Sequence, residues 1–571
     1  MKNYLQAKFA FGAFLGGFSL VICAIAAATE LPSLKTNGAA PTQSSAAKNE
    51  AFALPPISSD VVGPSVSPKG ERYRINQITF RGNTVISNAE LDALSQPYLD
   101  RIIGPLEIEE LRQSITKLYI KNGFVTSGAV LNSSLSANAT QLEFTLIEGR
   151  IDQIQVQGTE RLNERYVAER LVPAPNSVLN IEQLRERYEL LLLDPLFNSI
   201  STRLVPGQDQ GSSLLYVDVT RATPYQFSVF TNNYTAPSIG EMTTGMSGLL
   251  RNLTGFGDTL TLNGQGPSQN FKLSRVGLNW LMPLNNKGTQ FSLQADDGAT
   301  SLIQSSVSSL DIRSNLASSE FGINQSLFNT TKTRLTIGLS KSKRRNETTL
   351  LGAPFSFAAG IPEGLLIENS WKLWQDYSWR SESTVFAVRM TRNQIQNNLI
   401  PDVSGASASQ APNNYGYWLT QLTLGHRLKD SGILVQMQGS FQNASSHLTS
   451  LDRFGMGGAM TVRGYRENHF LLDRGSVINL ETEIPVLQNN GASEFSFKIA
   501  PFFNVGSGRN LGESKVSLSS TGITLKSEWK GFVASLALAK RLISPSSANI
   551  LSGTLQDKGI HFQLLYSTQQ Y

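Results

Sequence analysis

The sequence predicts a mainly β protein with α+β modules: a transmembrane antiparallel β-barrel of about 16 strands, preceded by two β-α-α-β-β modules. Three observations carry this expectation. An export signal opens the chain, one β-α-α-β-β pattern occurs twice in succession, and from Tyr225 onward helical periodicity gives way to strand alternation.

The chain has 571 residues, too many for one ordinary domain. Charged residues make up 16% and the net charge is +5, a dispersed excess that argues against nucleic-acid binding. Lys2 and Lys8 precede the apolar run Phe9–Ile25, which ends in Ala26-Ala27-Ala28. Residues 1–28 therefore read as a signal peptide cut after Ala28. The run is near the lower length limit for a spanning anchor, and its alanine end favours cleavage. The single cysteine, Cys23, lies inside this segment, and Ile22 stands where a lipoprotein signal wants Gly or Ala. The mature chain then needs no disulfide and offers no thiol nucleophile.

Residues 29–72 are a Pro/Ser-rich linker. Within it, Ala46–Leu54 has the composition of a two-turn helix, a candidate short plug. The first module spans 73–149. Arg74–Phe80 alternates as a strand and ends at Gly82-Asn83, and Ser87 with Glu90 forms a capping box. A second helix carries Ile108, Leu111, Ile115 and Tyr119 on one face, and Phe124–Leu131 and Gln141–Glu148 read as strands. The second module, 150–222, repeats the order. Ile151–Val156 is its first strand, Asn163 and Asn180 cap its helices, and Ile200–Val205 and Leu214–Thr220 close it.

Residues 223–571 form the barrel. Leu335, Ile337 and Leu339 alternate with Thr336, Gly338 and Ser340, and Phe532, Ala534, Leu536 and Leu538 alternate in the same way. Roughly 20 residues per strand and connection gives about 16 or 17 strands, with an even number expected. A barrel this wide has an aqueous interior unless something fills it. Near the end, Gly559, Phe562 and Leu564 fit a barrel closing strand, and Tyr571 supplies a terminal aromatic. His561 falls on the polar register, with no chemical role expected. The stretch Phe454–Arg466 (FGMGGAMTVRGYR) is glycine-dense and carries one arginine, Arg463, between Val462 and the pair Gly464-Tyr465. Placed inside the barrel pattern, it reads as a loop folded into the lumen.

Together these motifs resemble the TpsB family, the outer-membrane transporters of two-partner secretion, over Tyr73–Tyr571. The repeated modules resemble POTRA domains. Asn232–Gly240, with Asn233, Tyr234, Pro237 and Ser238, and Arg251–Asp258, with Gly255, Gly257 and Asp258, both resemble the family's first hairpin. The resemblance implies that Val462, Arg463, Gly464 and Tyr465 form a lumenal loop motif, anchored by a segment usually reading Phe-x-Asp-x-Gly. Here that segment contains Phe502, Asn504 and Gly506, so Asn replaces the expected Asp. Arg463 then either hydrogen-bonds Asn504 weakly or uses another carboxylate such as Glu481 or Glu483.

The implied function is export of a large secreted exoprotein, an adhesin or haemolysin, with activation as a second implied role. The POTRA domains would bind that client unfolded in the periplasm, and outer-membrane lipid would surround the barrel. The alternative is a barrel assembly and insertion factor, and a passive porin is a third reading. Scattered histidines without carboxylate clusters predict no metal, and no phosphate loop or nucleophile elbow is present. No enzymatic activity, cofactor, nucleotide or nucleic-acid partner is expected.

Overall fold

The computed structural model describes residues 52–53, 72–132, 140–172, 174, 176–268, 273–303, 308–400, 410–429, 431–488, 495–544 and 553–568. The signal peptide, nearly all of the linker and Tyr571 lie outside them. The chain divides into two compact units, one containing Ala39–Pro224, the other Tyr225–Thr254 and Asp258–Tyr571.

The first unit opens with β1 (Phe52–Ala53). Its first module runs β2 (Tyr73–Ile75), β3 (Gln77–Arg81), α1 (Asn88–Ser95), β4 (Arg101–Ile103), α2 (Pro105–Lys121), β5 (Gly128–Leu131) and β6 (Gln141–Ile147). The second runs β7 (Arg150–Gln157), α3 (Glu164–Leu171), α4 (Ile181–Leu192), β8 (Phe197–Pro206) and β9 (Ser212–Arg221). Both sheets share one topology. The order is β3-β6-β5 in one and β7-β9-β8 in the other, with the first strand parallel to the last. Each sheet buries one face under its two helices. Leu91, Ile108, Leu111, Ile115 and Phe144 form the first core, and Val167, Leu184, Leu191, Leu215 and Val217 the second.

Side chains cap three helices as their sequences require. Ser87 and Glu90 close a capping box, and Asn163 and Asn180 accept backbone N–H groups at α3 and α4. Each cap contributes about 1 kcal/mol. Two expectations are corrected. The strand expected from Phe124 begins only at Gly128, because Gly123 takes φ 89° to end α2 and the following residues turn. The candidate helix 46–54 is described only at Phe52–Ala53. These two residues are extended and pair in parallel with Thr202 and Arg203 of β8, so they add a strand to the sheet edge.

The junction between the modules is tied at the backbone. Ile181 N donates to Gly123 O at 2.9 Å, Leu179 N to Gly149 O at 2.7 Å, and Asn180 Nδ2 to Asn122 O at 3.0 Å. One residue before Gly149, buried Glu148 accepts from Thr84 N at 2.6 Å, Val85 N at 3.0 Å and Tyr119 Oη at 3.1 Å. Burial opposes its ionisation, but hydrogen bonds from Thr84, Val85 and Tyr119 outweigh that and hold the carboxyl below its ordinary range. Tyr119 is pushed the other way, by desolvation and then by the Glu148 charge.

The second unit is a closed antiparallel barrel. Its first strands are β10 (Tyr225–Asn232), β11 (Thr243–Arg251), β12 (Thr259–Pro267), β13 (Arg275–Pro283) and β14 (Thr289–Ser301). Longer strands follow: β15 (Arg313–Asn329), β16 (Thr333–Leu350), the two-residue β17 (Ala353–Pro354), β18 (Leu365–Arg380), β19 (Thr384–Asn397), β20 (Asn414–Arg427) and β21 (Leu434–Ala444). A small hairpin, β22 (Phe454–Met456) and β23 (Phe470–Leu472), interrupts the order. The wall then resumes with β24 (Arg474–Gln488), β25 (Phe495–Arg509), β26 (Val516–Trp529), β27 (Phe532–Arg541) and β28 (Ile560–Ser567). β17 is a spur on β16, which pairs directly with β18, so sixteen strands make the wall among the described residues. Closure is made by β10 against β28, from Ser228–Ser567 to Asn232–Gln563. Beside this seam the strands are short, with 8 residues in β10 and in β28, against 17 in β15 and 18 in β16.

Alternation divides the wall. On β16, Thr336, Ser340 and Ser342 are buried toward the lumen while Ile337 and Leu339 are exposed outward. Short turns join strands at one end of the barrel and longer loops at the other. Three residues separate β9 from β10, whose first residue lies at the turn end, so the chain enters the barrel from that end.

Candidate functional site

The connection from β21 to β24, residues 445–473, does not project outward. Its hairpin pairs Phe454 with Leu472 and Met456 with Phe470, and its tip packs against the lumenal wall. The glycines make this fold accessible. Gly458 has φ 116° and Gly464 φ 93°, and a Cβ on Gly464 would meet Ala539 Cβ at 3.0 Å. Val462 and Tyr465 are fully buried with Met456, Leu472, Val477 and Leu518. The wall yields space where the loop presses closest: a side chain on Gly506 would strike Met456 Sδ at 2.7 Å and Val462 Cγ2 at 3.0 Å.

Arg463 takes both partners that the sequence left open. Its Nε donates to Asn504 Oδ1 at 3.0 Å, its Nη1 to Thr524 Oγ1 at 3.0 Å, and it forms an ion pair with Glu481. The guanidinium also stacks 3.6 Å from the Phe502 ring centroid. Asn504 therefore orients the fork while Glu481 supplies the charge. Glu483 is a correction: it pairs with Lys526 at 2.5 Å and faces Lys498 at 3.9 Å, with no bond to Arg463. Lys526 bridges back to Glu481 at 2.6 Å, so Arg463, Glu481, Lys526, Glu483 and Lys498 form a chain of alternating charge that continues to Glu528.

The neighbouring residues fasten the same tip to the closing strands. Gly464 N donates to His561 Nε2 at 2.9 Å, so His561, for which no chemical role was expected, has a structural one, and its neutral tautomer carries the proton on Nδ1. Tyr465 Oη donates to Ser519 O at 2.9 Å and Ile543 O at 2.6 Å. Arg466 binds Asp557 through two parallel bonds of 2.7 Å each. Glu467 N donates to Gln556 Oε1 at 2.9 Å, and Gln556 Nε2 reaches Asn233 O at 2.6 Å.

The two hairpin-like motifs lie at opposite ends of β11, so only Asn232–Gly240 belongs to the first hairpin. There Asn233 stitches the seam, donating from Nδ2 to Ile560 O at 2.9 Å and accepting Phe562 N at 2.9 Å. Tyr234 lines the lumen, and Pro237 and Ser238 begin a 3₁₀ turn. Asp258 closes the β11–β12 turn, accepting from Thr254 N at 2.9 Å and Trp280 Nε1 at 2.9 Å. Gly255 and Gly257 take φ 92° and 83° in that turn. Gly559 takes φ 75° ahead of β28, and Leu564 faces outward.

A second anchor holds the root of the loop to a different sector of the wall, and the sequence reading missed it. Asp452 accepts from Arg344 on β16 at 2.5 Å and from Tyr415 and Tyr417 on β20 at 2.6 and 3.2 Å. Arg344 also pairs with buried Glu368 on β18 at 2.6 Å, and Thr449 donates to the same Glu368 at 2.5 Å. Parity held the signal: Arg344 stands in step with Ser340 and Ser342, so it faces inward although it lies in the basic run Lys341–Arg345. The loop thus spans the lumen between β16–β20 and β24–β28. Beside it lies a cavity of about 540 Å³ lined by Asp296, Glu320, Lys372, Arg389 and Tyr417. Among the described residues no cluster could hold a metal.

Comparison with known proteins agrees with this architecture. Residues 73–149 match the domain described as "POTRA domain, ShlB-type". Residues 211–526 match the family "Haemolysin secretion/activation protein ShlB/FhaC/HecB". The outer membrane transporter CdiB of Dickeya dadantii is 23% identical over 441 residues, covering 74% of this chain and 75% of that protein. The hemolysin transporter protein ShlB of Serratia marcescens is 24% identical over 207 residues, 36% of each chain. The solved structure of CdiB from Escherichia coli superposes with a TM-score of 0.66 at 16% identity, over 90% of this chain and 94% of that one. The chain belongs to the ShlB/FhaC/HecB haemolysin secretion/activation family, the TpsB outer-membrane transporters of two-partner secretion.

Proposed function

We propose that this protein exports one secreted exoprotein from the periplasm to the cell surface, with residues 73–149 and 150–222 as two POTRA domains and 223–571 as the pore. The observation that carries the reading is the doubly anchored loop. It folds into the lumen of a closed barrel and is held there by ion pairs, hydrogen bonds and apolar side-chain packing, with no strand pairing to the wall among the described residues. Such a plug is released without breaking a single wall strand. The client is captured unfolded, by adding an extended segment to a module's sheet edge, where backbone bonds give affinity with little sequence demand. The short strand on β8 is an intramolecular example of that pairing.

Val462, Arg463, Gly464 and Tyr465 are the residues that set the loop, with Phe502, Asn504 and Glu481 as its seat. Deleting the gene and surveying the periplasm and the outer membrane tests the function. Accumulation of one large exoprotein in the periplasm supports export. A general loss of outer-membrane barrels points instead to assembly.

A further inference from the structure

We propose that the outward face of β15–β20, near the loop end, binds the phosphate groups of outer-leaflet lipopolysaccharide. The argument begins with parity on β16. Ile337 and Leu339 face outward in the apolar band, joined by Phe321 and Ile323 of β15 and Leu373 of β18. The next three outward positions are Lys341, Lys343 and Arg345, all exposed. An apolar lipid surface does not tolerate three cations in a row without a counter-charge.

Height places that counter-charge. Trp371 is directly opposite Lys341, whose Nζ lies 5.3 Å from the indole ring. Two strands along, Arg392 stacks 5.7 Å from Trp418. Trp379, at the other end of β18, faces outward like Trp371. The eight-residue step between the two tryptophans is about 27 Å along the strand, or about 20 Å of membrane height at a usual strand tilt. The two tryptophans thus lie a few ångströms inside the edges of the roughly 25 Å apolar band, where the two aromatic girdles of a barrel begin. Lys343 and Arg345 lie one and two strand repeats beyond the upper girdle, about 5 and 10 Å higher, in the headgroup layer. This end carries the long loops, opposite the turn end that opens to the periplasm, so the layer is the outer leaflet.

The charge balance favours an anion. Arg345 pairs with Glu347, and Asp297 of β14 lies two strands from Arg345. Lys341 and Lys343 have no carboxylate partner among the described residues, and the strand neighbours of Lys343 are the neutral Ser319 and Asn369. Two lysines spaced by one strand repeat, one level with the aromatic ledge and one above it, suit phosphates carried on a sugar headgroup whose acyl chains lie along the apolar band.

The test uses the full-length protein in non-ionic detergent and measures binding of purified lipopolysaccharide. Wild type is compared with K341A, K343A, the double variant and K332A, which alters a lysine at the turn end of the same strand. Each lysine should contribute roughly fivefold, so the double variant should bind about 25-fold more weakly while K332A binds as wild type. Lipopolysaccharide stripped of its phosphates should bind the wild type as weakly as intact material binds the double variant. Retention of the heat-modifiable gel shift shows that each variant keeps a folded barrel. Equal affinity of wild type and the double variant, or equal binding of phosphorylated and dephosphorylated lipid, overturns the proposal.

Discussion

Replacing Asp452 by Asn leaves the loop's shape intact and removes the charge that ties its root to the wall. In the wild type one carboxylate receives Arg344, Tyr415 and Tyr417 together, at 2.5, 2.6 and 3.2 Å. Arg344 keeps Glu368 in the variant, so no cation is stranded. The loss is then that of two or three hydrogen bonds to a charged acceptor, partly replaced by the amide oxygen. At about 1.5–3 kcal/mol for each charged bond, a net weakening of about 3 kcal/mol follows. That raises the detached fraction of the loop root about 150-fold. The sequence has one native cysteine, Cys23, so in a Cys23→Ser background an added cysteine reports alone. Leu451 is buried beside the latch and Arg344 Nη1 donates to its carbonyl at 3.2 Å. In an L451C background, a membrane-impermeant maleimide should label D452N one to two orders of magnitude faster than the protein with Asp452 intact. Equal labelling rates would refute the idea that Asp452 holds the root.

Four further outcomes are expected. Arg463→Ala should lower secretion while the barrel still folds, measured as exoprotein in the medium against the heat-modifiable band; undiminished secretion contradicts the role given to the loop. Asn504→Asp should be tolerated or should tighten the loop. Its Nδ2 is buried without a hydrogen-bond partner among the described residues, and the carboxylate would face Arg463, so abolished secretion would count against the anchor. Glu148→Gln should destabilise the first module by about 1–3 kcal/mol, read as faster hydrogen exchange around Thr84 and Val85. Because folding lowers the Glu148 pKa, its contribution is present above the ordinary carboxylate range and is lost as pH falls through the folded value; the variant should lose part of that acid dependence. Gly506→Ala should displace the loop tip by steric conflict with Met456 and Val462, measured as faster hydrogen exchange at the Gly464 N–H, which His561 Nε2 accepts in the seated loop.

Much of the fold was legible because its signals are periodic and local. Leu335, Ile337 and Leu339 against Thr336, Gly338 and Ser340 define a two-faced strand without reference to any neighbour. Ser87, Asn163 and Asn180 announce helix starts within three residues of sequence. Arg463 was visible because glycines on both sides mark a backbone of unusual conformation. Its partners were only partly visible. Asn504 and Glu481 belong to different strands, and their convergence depends on barrel register: Asn504 pairs with Asn479, and Glu481 with Phe502. The Asp452 latch was largely hidden: strand parity turns Arg344 inward, but its partners Glu368 and Tyr415 come from two further strands and carry no local motif. The structural role of His561 has no local signal because the hydrogen bond it accepts comes from Gly464, 97 residues earlier.

The unequal strands around the wall have a consequence for the lipid. Eight residues of β10 or β28 span about 27 Å along the strand and about 21 Å of height, less than the roughly 25 Å apolar band of an ordinary outer-membrane barrel. Strands β15 and β16, twice as long, exceed that band and carry their excess into water. Acyl chains beside the seam must therefore shorten or tilt by several ångströms, at a fraction of a kcal/mol for each. The bilayer around this protein is thus not a uniform collar but a ring with one thin sector, on the side where β10 meets β28.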